Sequence, residues 1–122
     1  MSLNTTKVRG SRLERDFVIR WSALKRAPEL DREVKVLGRD FRFDFAHRAS
    51  RVLVEIDGGL WRGARGGHTS GAGAARDREK DFHVIMLGWV VVRLSPDMVK
   101  DWKTLEALAE FIRRKADGEE DP

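Results

Sequence analysis

The sequence predicts an α/β domain in which a mixed central sheet is flanked by helices, in the order α-β-β-β-α-β-α. Three observations carry this expectation. Two runs near the middle, Phe41–Ala46 and Val52–Ile56, are dense in aromatic and β-branched residues, as strands are. Two outer stretches, Ser11 to about Arg26 and Asp101 to Lys115, place apolar residues at helical spacing. Trp89–Leu94 is a nearly continuous apolar run, the mark of a central strand covered on both faces.

Taken in order, Met1–Gly10 is polar and reads as a flexible basic N-terminus, with Lys7 and Arg9 available to a phosphate backbone. In the first helix Leu13, Phe17, Trp21 and Leu24 form one stripe, and Pro28 ends it. Glu33–Leu37 reads as a short strand, with Gly38-Arg39-Asp40 as a turn into Phe41–Ala46. Alternation there puts Phe41, Phe43 and Phe45 on one face and Arg42, Asp44 and Ala46 on the other. The next strand stops at Gly58-Gly59. Residues Gly58–Gly73 then hold seven of the eleven glycines, together with Trp61, Arg62, Arg65 and His68, and read as a long functional loop. Ala74–Leu87 returns to a helical pattern with Gly88 as its stop. Ser95-Pro96-Asp97 punctuates, and the last helix is expected to bury Trp102, Leu105, Ala109 and Ile112. The domain boundaries are thus a tail at 1–10, one domain at 11–116 and an acidic tail at 117–122.

A chain of 122 residues is one domain's worth, and its 41% apolar content with four Trp and six Phe suffices for a core. No apolar run is long enough to span a bilayer, and the first twelve residues contain no signal-like core. The absence of Cys excludes disulfides, thiolate zinc sites and cysteine nucleophiles, and fits a cytoplasmic protein. The net charge is +4, but residues 1–51 carry 13 Lys and Arg against 7 Asp and Glu. The tail beyond Ala116 holds four acids and no base, so the body is near +8, a footprint for a polyanion or simply a solvated surface.

The chemistry centres on acids placed in strands. If an even-numbered turn around His47–Ser50 joins the two middle strands, Asp44 and Glu55 share a face, opposite or diagonal. Diagonal neighbours lie roughly 7–8 Å apart, within reach of one hard cation. Carboxylates so crowded repel unless a cation or proton intervenes. Asp57 either joins this group or starts the Gly58-Gly59 turn as an Asx residue. Ser11-Arg12-Leu13-Glu14 fits a capping box, yet Glu14 also borders the apolar stripe and can lean over the sheet. Lys80, with Asp77 and Asp81 nearby, is either part of a surface ion-pair ladder or a cation for charge developing on a phosphate. His68 is a solvated loop residue or a general base. His47 and His83 lack companions at ligand spacing. The Gly63–Gly73 stretch has no P-loop ending, and no Gly-x-Ser-x-Gly elbow occurs.

Glu14 on a first helix, Asp44, then Glu55-Ile56-Asp57 on consecutive strands and a following helix resemble the PD-(D/E)XK nuclease superfamily. Arg76–Asp81 leading into Gly88–Leu94 is similar to its branch near the very-short-patch repair endonucleases. Asp44–Ala46, Glu55–Gly59 and Gly66–Gly73 resemble small phage-encoded endonucleases, and the same core is shared by archaeal-type Holliday junction resolvases. The likeness covers about residues 11–100.

That resemblance implies a restriction-endonuclease-like fold and a magnesium- or manganese-dependent DNA endonuclease acting in the cytoplasm, a host's cytoplasm if phage-encoded. Asp44, Glu55 and the Ile56 carbonyl would bind the metal, with Glu14 assisting. The lysine expected two residues after Glu55 is Asp57 here, so Lys80 or His68 would supply activation, or Asp57 would join the metal ligands. Lys7, Arg9, Arg12, Arg15, Trp61, Arg62 and Arg65 would contact DNA. A four-way junction is the expected substrate and a homodimer the expected state, in recombination or repair. The alternatives are a mismatch or nicking endonuclease of the very-short-patch type, a non-catalytic DNA-binding module with a decayed site, and a structural interaction domain.

Overall fold

The computed structural model describes residues 11–36, 41–57 and 71–118. Their elements are α1 (Arg12–Ala23), β1 (Asp31–Lys35), β2 (Arg42–His47), β3 (Val52–Ile56), α2 (Gly71–Met86), β4 (Val90–Leu94), α3 (Pro96–Val99) and α4 (Trp102–Ala116). This is the expected order with one short helix added. At α3, Ser95 accepts a hydrogen bond from the Met98 amide, and Pro96 occupies the first turn, where its missing N–H costs nothing. The 38–40 turn, the 58–70 part of the Gly-rich segment and the end of the acidic tail lie outside the described residues.

Helix α1 starts where the capping signal places it, since the Ser11 hydroxyl accepts the Glu14 amide at 3.1 Å. It stops at Ala23, short of Arg26, which takes a left-handed φ of 61° ahead of Pro28. Trp21 then donates its indole N–H to the Pro28 carbonyl at 2.8 Å, fixing the exit of the chain.

The sheet order is β1-β2-β3-β4, with β1–β2 and β2–β3 antiparallel and β3–β4 parallel. The four-residue turn at 48–51 contains an even number of residues. It closes through the Arg51 amide on the Arg48 carbonyl, with Arg51 at a φ of 57°. The resulting register, Phe45↔Val54, places Asp44 opposite Glu55 when continued by one step. β4 follows α2 as the crossover that a parallel pair requires. Contrary to the central position expected of it, β4 is the edge strand of the described sheet. Its residues Val90–Arg93 are only half buried, so an apolar strand here reflects cover by α2 and α4 rather than strands on both sides.

The core divides across the sheet. On one side Phe17, Val18 and Trp21 of α1 and Leu105, Leu108, Ala109 and Ile112 of α4 pack on Phe45, Val52, Val54 and Leu94. On the other, Val84 of α2 packs on Val34, Val36, Phe43, Ala46 and Leu53. Phe41, just before β2, packs with Phe43 in the second group while Phe45 lies in the first, so the three phenylalanines do not share the one face that simple alternation predicts. The reason lies in one level of the β1–β2 ladder. Glu33 adopts a left-handed φ of 49°, and the pairing passes from Arg32↔Phe45 to Val34↔Phe43 without a Glu33↔Asp44 partner. Both strands exchange faces there, keeping register while inverting the pleat. Trp102 also departs from expectation. It is 45% exposed at the first residue of α4, under the Arg20 guanidinium at 5.5 Å, while Leu105, Leu108, Ala109 and Ile112 form the buried stripe. No helix among the described residues is long and apolar enough to cross a membrane.

Candidate active site

Asp44 sits at the level where the pleat inverts, which turns its carboxylate towards the sheet plane. There Oδ2 accepts the Ile56 amide at 2.8 Å. The Asp57 amide donates to Leu94 of β4 at 2.8 Å, so the Ile56 N–H and C=O, one residue earlier, both face the β2 side. The Asp44 side chain therefore replaces a ladder carbonyl, and the Ile56 carbonyl leaves β3 towards the same corner.

Asp44 meets two other acids, one from each side of the sheet. Glu14 comes from α1, with Arg32 Nη2 at 3.9 Å from its Oε2. Burial, followed by the charge of Asp44 and its hydrogen bond, raises the Glu14 carboxyl to about 7, against the pull of Arg32. Glu55 comes from the α2 side. Burial first, and the charge of Asp44 second, push it up to about 8, while Lys80 and Arg93 act in the opposite direction. Among the described residues no group of three His, Cys, Asp or Glu side chains is set to hold a metal ion. The contacts are two acid pairs sharing Asp44. The Asp44–Glu55 pair nevertheless suits a hard divalent cation, having oxygen donors crowded in a half-dry corner where added positive charge relieves their repulsion.

Lys80 is not part of a surface ladder. Its Nζ donates to the Arg42 carbonyl at 2.7 Å, stands 3.4 Å from Glu55 Oε1 and lies 4.5 Å from the Phe43 ring centroid. Its side chain and that of Glu55 are 14% and 13% exposed, so the pair is shielded well enough for its charges to be felt. Asp81, the other ladder candidate, binds Arg93 instead. Asp57 follows β3 directly and is half buried. Arg12 and Arg15 are exposed on the first turn of α1, beside Glu14. Lys7, Arg9, Trp61, Arg62, Arg65 and His68 lie outside the described residues.

Two site residues were not anticipated from the sequence. Arg93 pairs in register with Glu55 across β3–β4, and its signal was to be the one charged residue in an apolar strand. Arg32, 5.4 Å over the Phe45 ring, had no signal, because its position depends on the inversion at Glu33.

Comparison with protein-family models, with characterised proteins and with solved structures finds no match for this chain.

A pH prediction follows from the two raised carboxyls. In the unfolded chain both titrate near 4.5, whereas in the folded protein they hold their protons to about 7 and about 8. Between these limits the native state binds more protons, so the stability these two carboxyls contribute is fully present below pH 4.5 and is lost as pH rises through about 7 and about 8. Added magnesium is expected to raise Tm more at pH 8.5 than at pH 5.5, because a cation competes with protons for the same oxygens. Thermal melts at the two pH values check this; an equal or reversed magnesium shift would contradict a cation site at Asp44 and Glu55.

Proposed function

We propose that this chain is a divalent-metal-dependent endodeoxyribonuclease with a restriction-endonuclease-like fold of the PD-(D/E)XK kind. The observation that carries the reading is the Lys80 ammonium beside Glu55, at the corner where Asp44 and Glu55 crowd together. It supplies from α2 the cation that position 57, an aspartate, does not. Arg12 and Arg15 are exposed at the start of α1, the helix that carries Glu14, and their charge is in keeping with a phosphate-backbone substrate.

A magnesium or manganese ion held by Asp44, Glu55 and the Ile56 carbonyl would supply Lewis acidity to a phosphodiester and a more acidic water. The Ile56 amide holds the Asp44 carboxylate in one orientation. The Arg42 carbonyl and Phe43 ring hold the Lys80 ammonium directed into the corner, where it offsets charge developing on phosphate oxygens. Glu14, pushed up to about 7, takes or releases a proton near neutral pH at the margin of the site.

The substrate proposed first is a four-way DNA junction bound by a homodimer, in keeping with the resemblance to archaeal-type Holliday junction resolvases. The test is cleavage of a synthetic junction beside a linear duplex of the same sequence, with magnesium and with chelator. Symmetric, metal-requiring cuts in the junction alone are the expected result. Equal nicking of both substrates would favour a mismatch or nicking endonuclease. Junction binding without cleavage under any divalent metal would leave a DNA-binding module and end the enzyme reading. In a cleaving protein, Lys80→Met is expected to lower kcat by roughly 10²–10³-fold with KM little changed, read from single-turnover kinetics.

A further inference from the structure

We propose that the Asp81–Arg93 ion pair is the positioning device that holds Lys80 over the acidic corner, an inference that rests on the role just given to Lys80. Lys80 and Asp81 are consecutive on α2, so their side chains leave the helix about 100° apart. Lys80 reaches across to β2 and β3, while Asp81 reaches β4. There Asp81 Oδ1 accepts from Arg93 Nη2 at 2.8 Å and Oδ2 from Nε at 3.3 Å. A two-pronged guanidinium–carboxylate contact fixes direction as well as distance. α2 is thereby pinned on both sides of its axis, and its rotation about that axis is set.

Apolar packing does not set that rotation by itself. Among the described α2 side chains Val84 is buried, whereas Phe82, Ile85 and Met86 are 59%, 49% and 65% exposed. A helix held by one buried apolar residue and the neighbouring stack of His83 on Phe41 at 5.7 Å, both at one level of the helix, can roll, and a roll small in angle is large at the end of a lysine side chain. The Lys80–Glu55 separation of 3.4 Å leaves little margin for such a roll. Asp81 has a second effect. Arg93 stands opposite Glu55 in the β3–β4 register, close enough to influence its charge. By engaging Nε and Nη2, Asp81 keeps that guanidinium on α2 and leaves Glu55 to Lys80.

The experiment uses the full chain with Asp81→Asn, which preserves shape, and Arg93→Lys, which preserves charge but not the fork. Lysine acylation by a water-soluble N-hydroxysuccinimide ester, followed residue by residue by mass spectrometry, reads the exposure of each ammonium. The expected result is several-fold faster acylation of Lys80 in both variants. Lys115 of α4, whose Nζ donates to the Ser50 carbonyl at 3.0 Å, serves as the internal control and is expected not to change. Cleavage kinetics give the second readout. Asp81→Asn is expected to lower kcat roughly tenfold with KM unchanged, to be rescued by Asp81→Glu, and to cost nothing more in a Lys80→Met background. Wild-type protection of Lys80 in both variants would overturn the proposal, as would parallel loss of protection at Lys115, which marks general loosening. A wild-type chain that cuts no DNA, while Lys80 alone gains reactivity in the variants, would instead refute the nuclease reading and retain the positioning.

Discussion

Glu55→Gln is expected to reduce metal-dependent cleavage by about 10³-fold or more, and to raise the Tm of the metal-free protein above pH 8. The two effects have one origin. Glu55 is largely buried beside Asp44, and its carboxyl is pushed up to about 8 because ionising it there is unfavourable. Glutamine keeps the volume and one acceptor but cannot ionise, so the native state loses a repulsive charge at alkaline pH. The same change removes the anionic oxygen that would hold a divalent cation, and with it the stabilisation that the cation brings. Single-turnover cleavage and melts at pH 8.5, with and without magnesium, separate these outcomes. Cleavage within tenfold of wild type would show that Glu55 is not at the reacting centre. An unchanged alkaline Tm would show that its charge is not the burden described here.

Phe45→Ala is expected to be the most destabilising single replacement in the sheet, at about 3–5 kcal/mol, with Tm lowered by roughly 10–20 °C. Phe45 is fully buried, its ring 4.9 Å from that of Phe17, which in turn stacks on Trp21 at 5.4 Å. The Arg32 guanidinium lies over its ring at 5.4 Å. Truncation leaves a void between α1 and the sheet that helices cannot close without moving. Such a loss approaches the whole stability of many domains of this size. The neighbouring Asp44 would be released with it, since its orientation depends on the pleat inversion beside Phe45. Phe82→Ala is the control: at 59% exposure it is expected to change stability by no more than about 0.5 kcal/mol. Urea titrations of the two variants read the difference, and comparable midpoints would contradict the two-sided core.

Several elements were legible because their signals are local. The Ser11 cap, the left-handed stop at Gly88 with a φ of 90°, and the strand character of Phe41–Ala46 and Val52–Ile56 depend on residues a few positions apart. The facing of Asp44 and Glu55 was legible too, since the parity of a hairpin loop fixes which residues lie opposite. The edge position of β4 was not, because an apolar run reports burial and not what provides it. The faces of β2 were misjudged because alternation presumes a regular pleat, whereas a left-handed glutamate at position 33, on another strand, inverts it.

Local spacing thus accounts for every element except α3, for their order, and for the two acids brought together by one hairpin. Long-range packing sets the rest: Lys80 faces Glu55 rather than Asp77 or Asp81, Arg93 engages Asp81, and Glu14 reaches Asp44 from the opposite side. These contacts join α1, β2, β3, α2 and β4 across long stretches of chain. Their partners are chosen by how helices settle on the sheet, a matter of three-dimensional packing that no local spacing encodes.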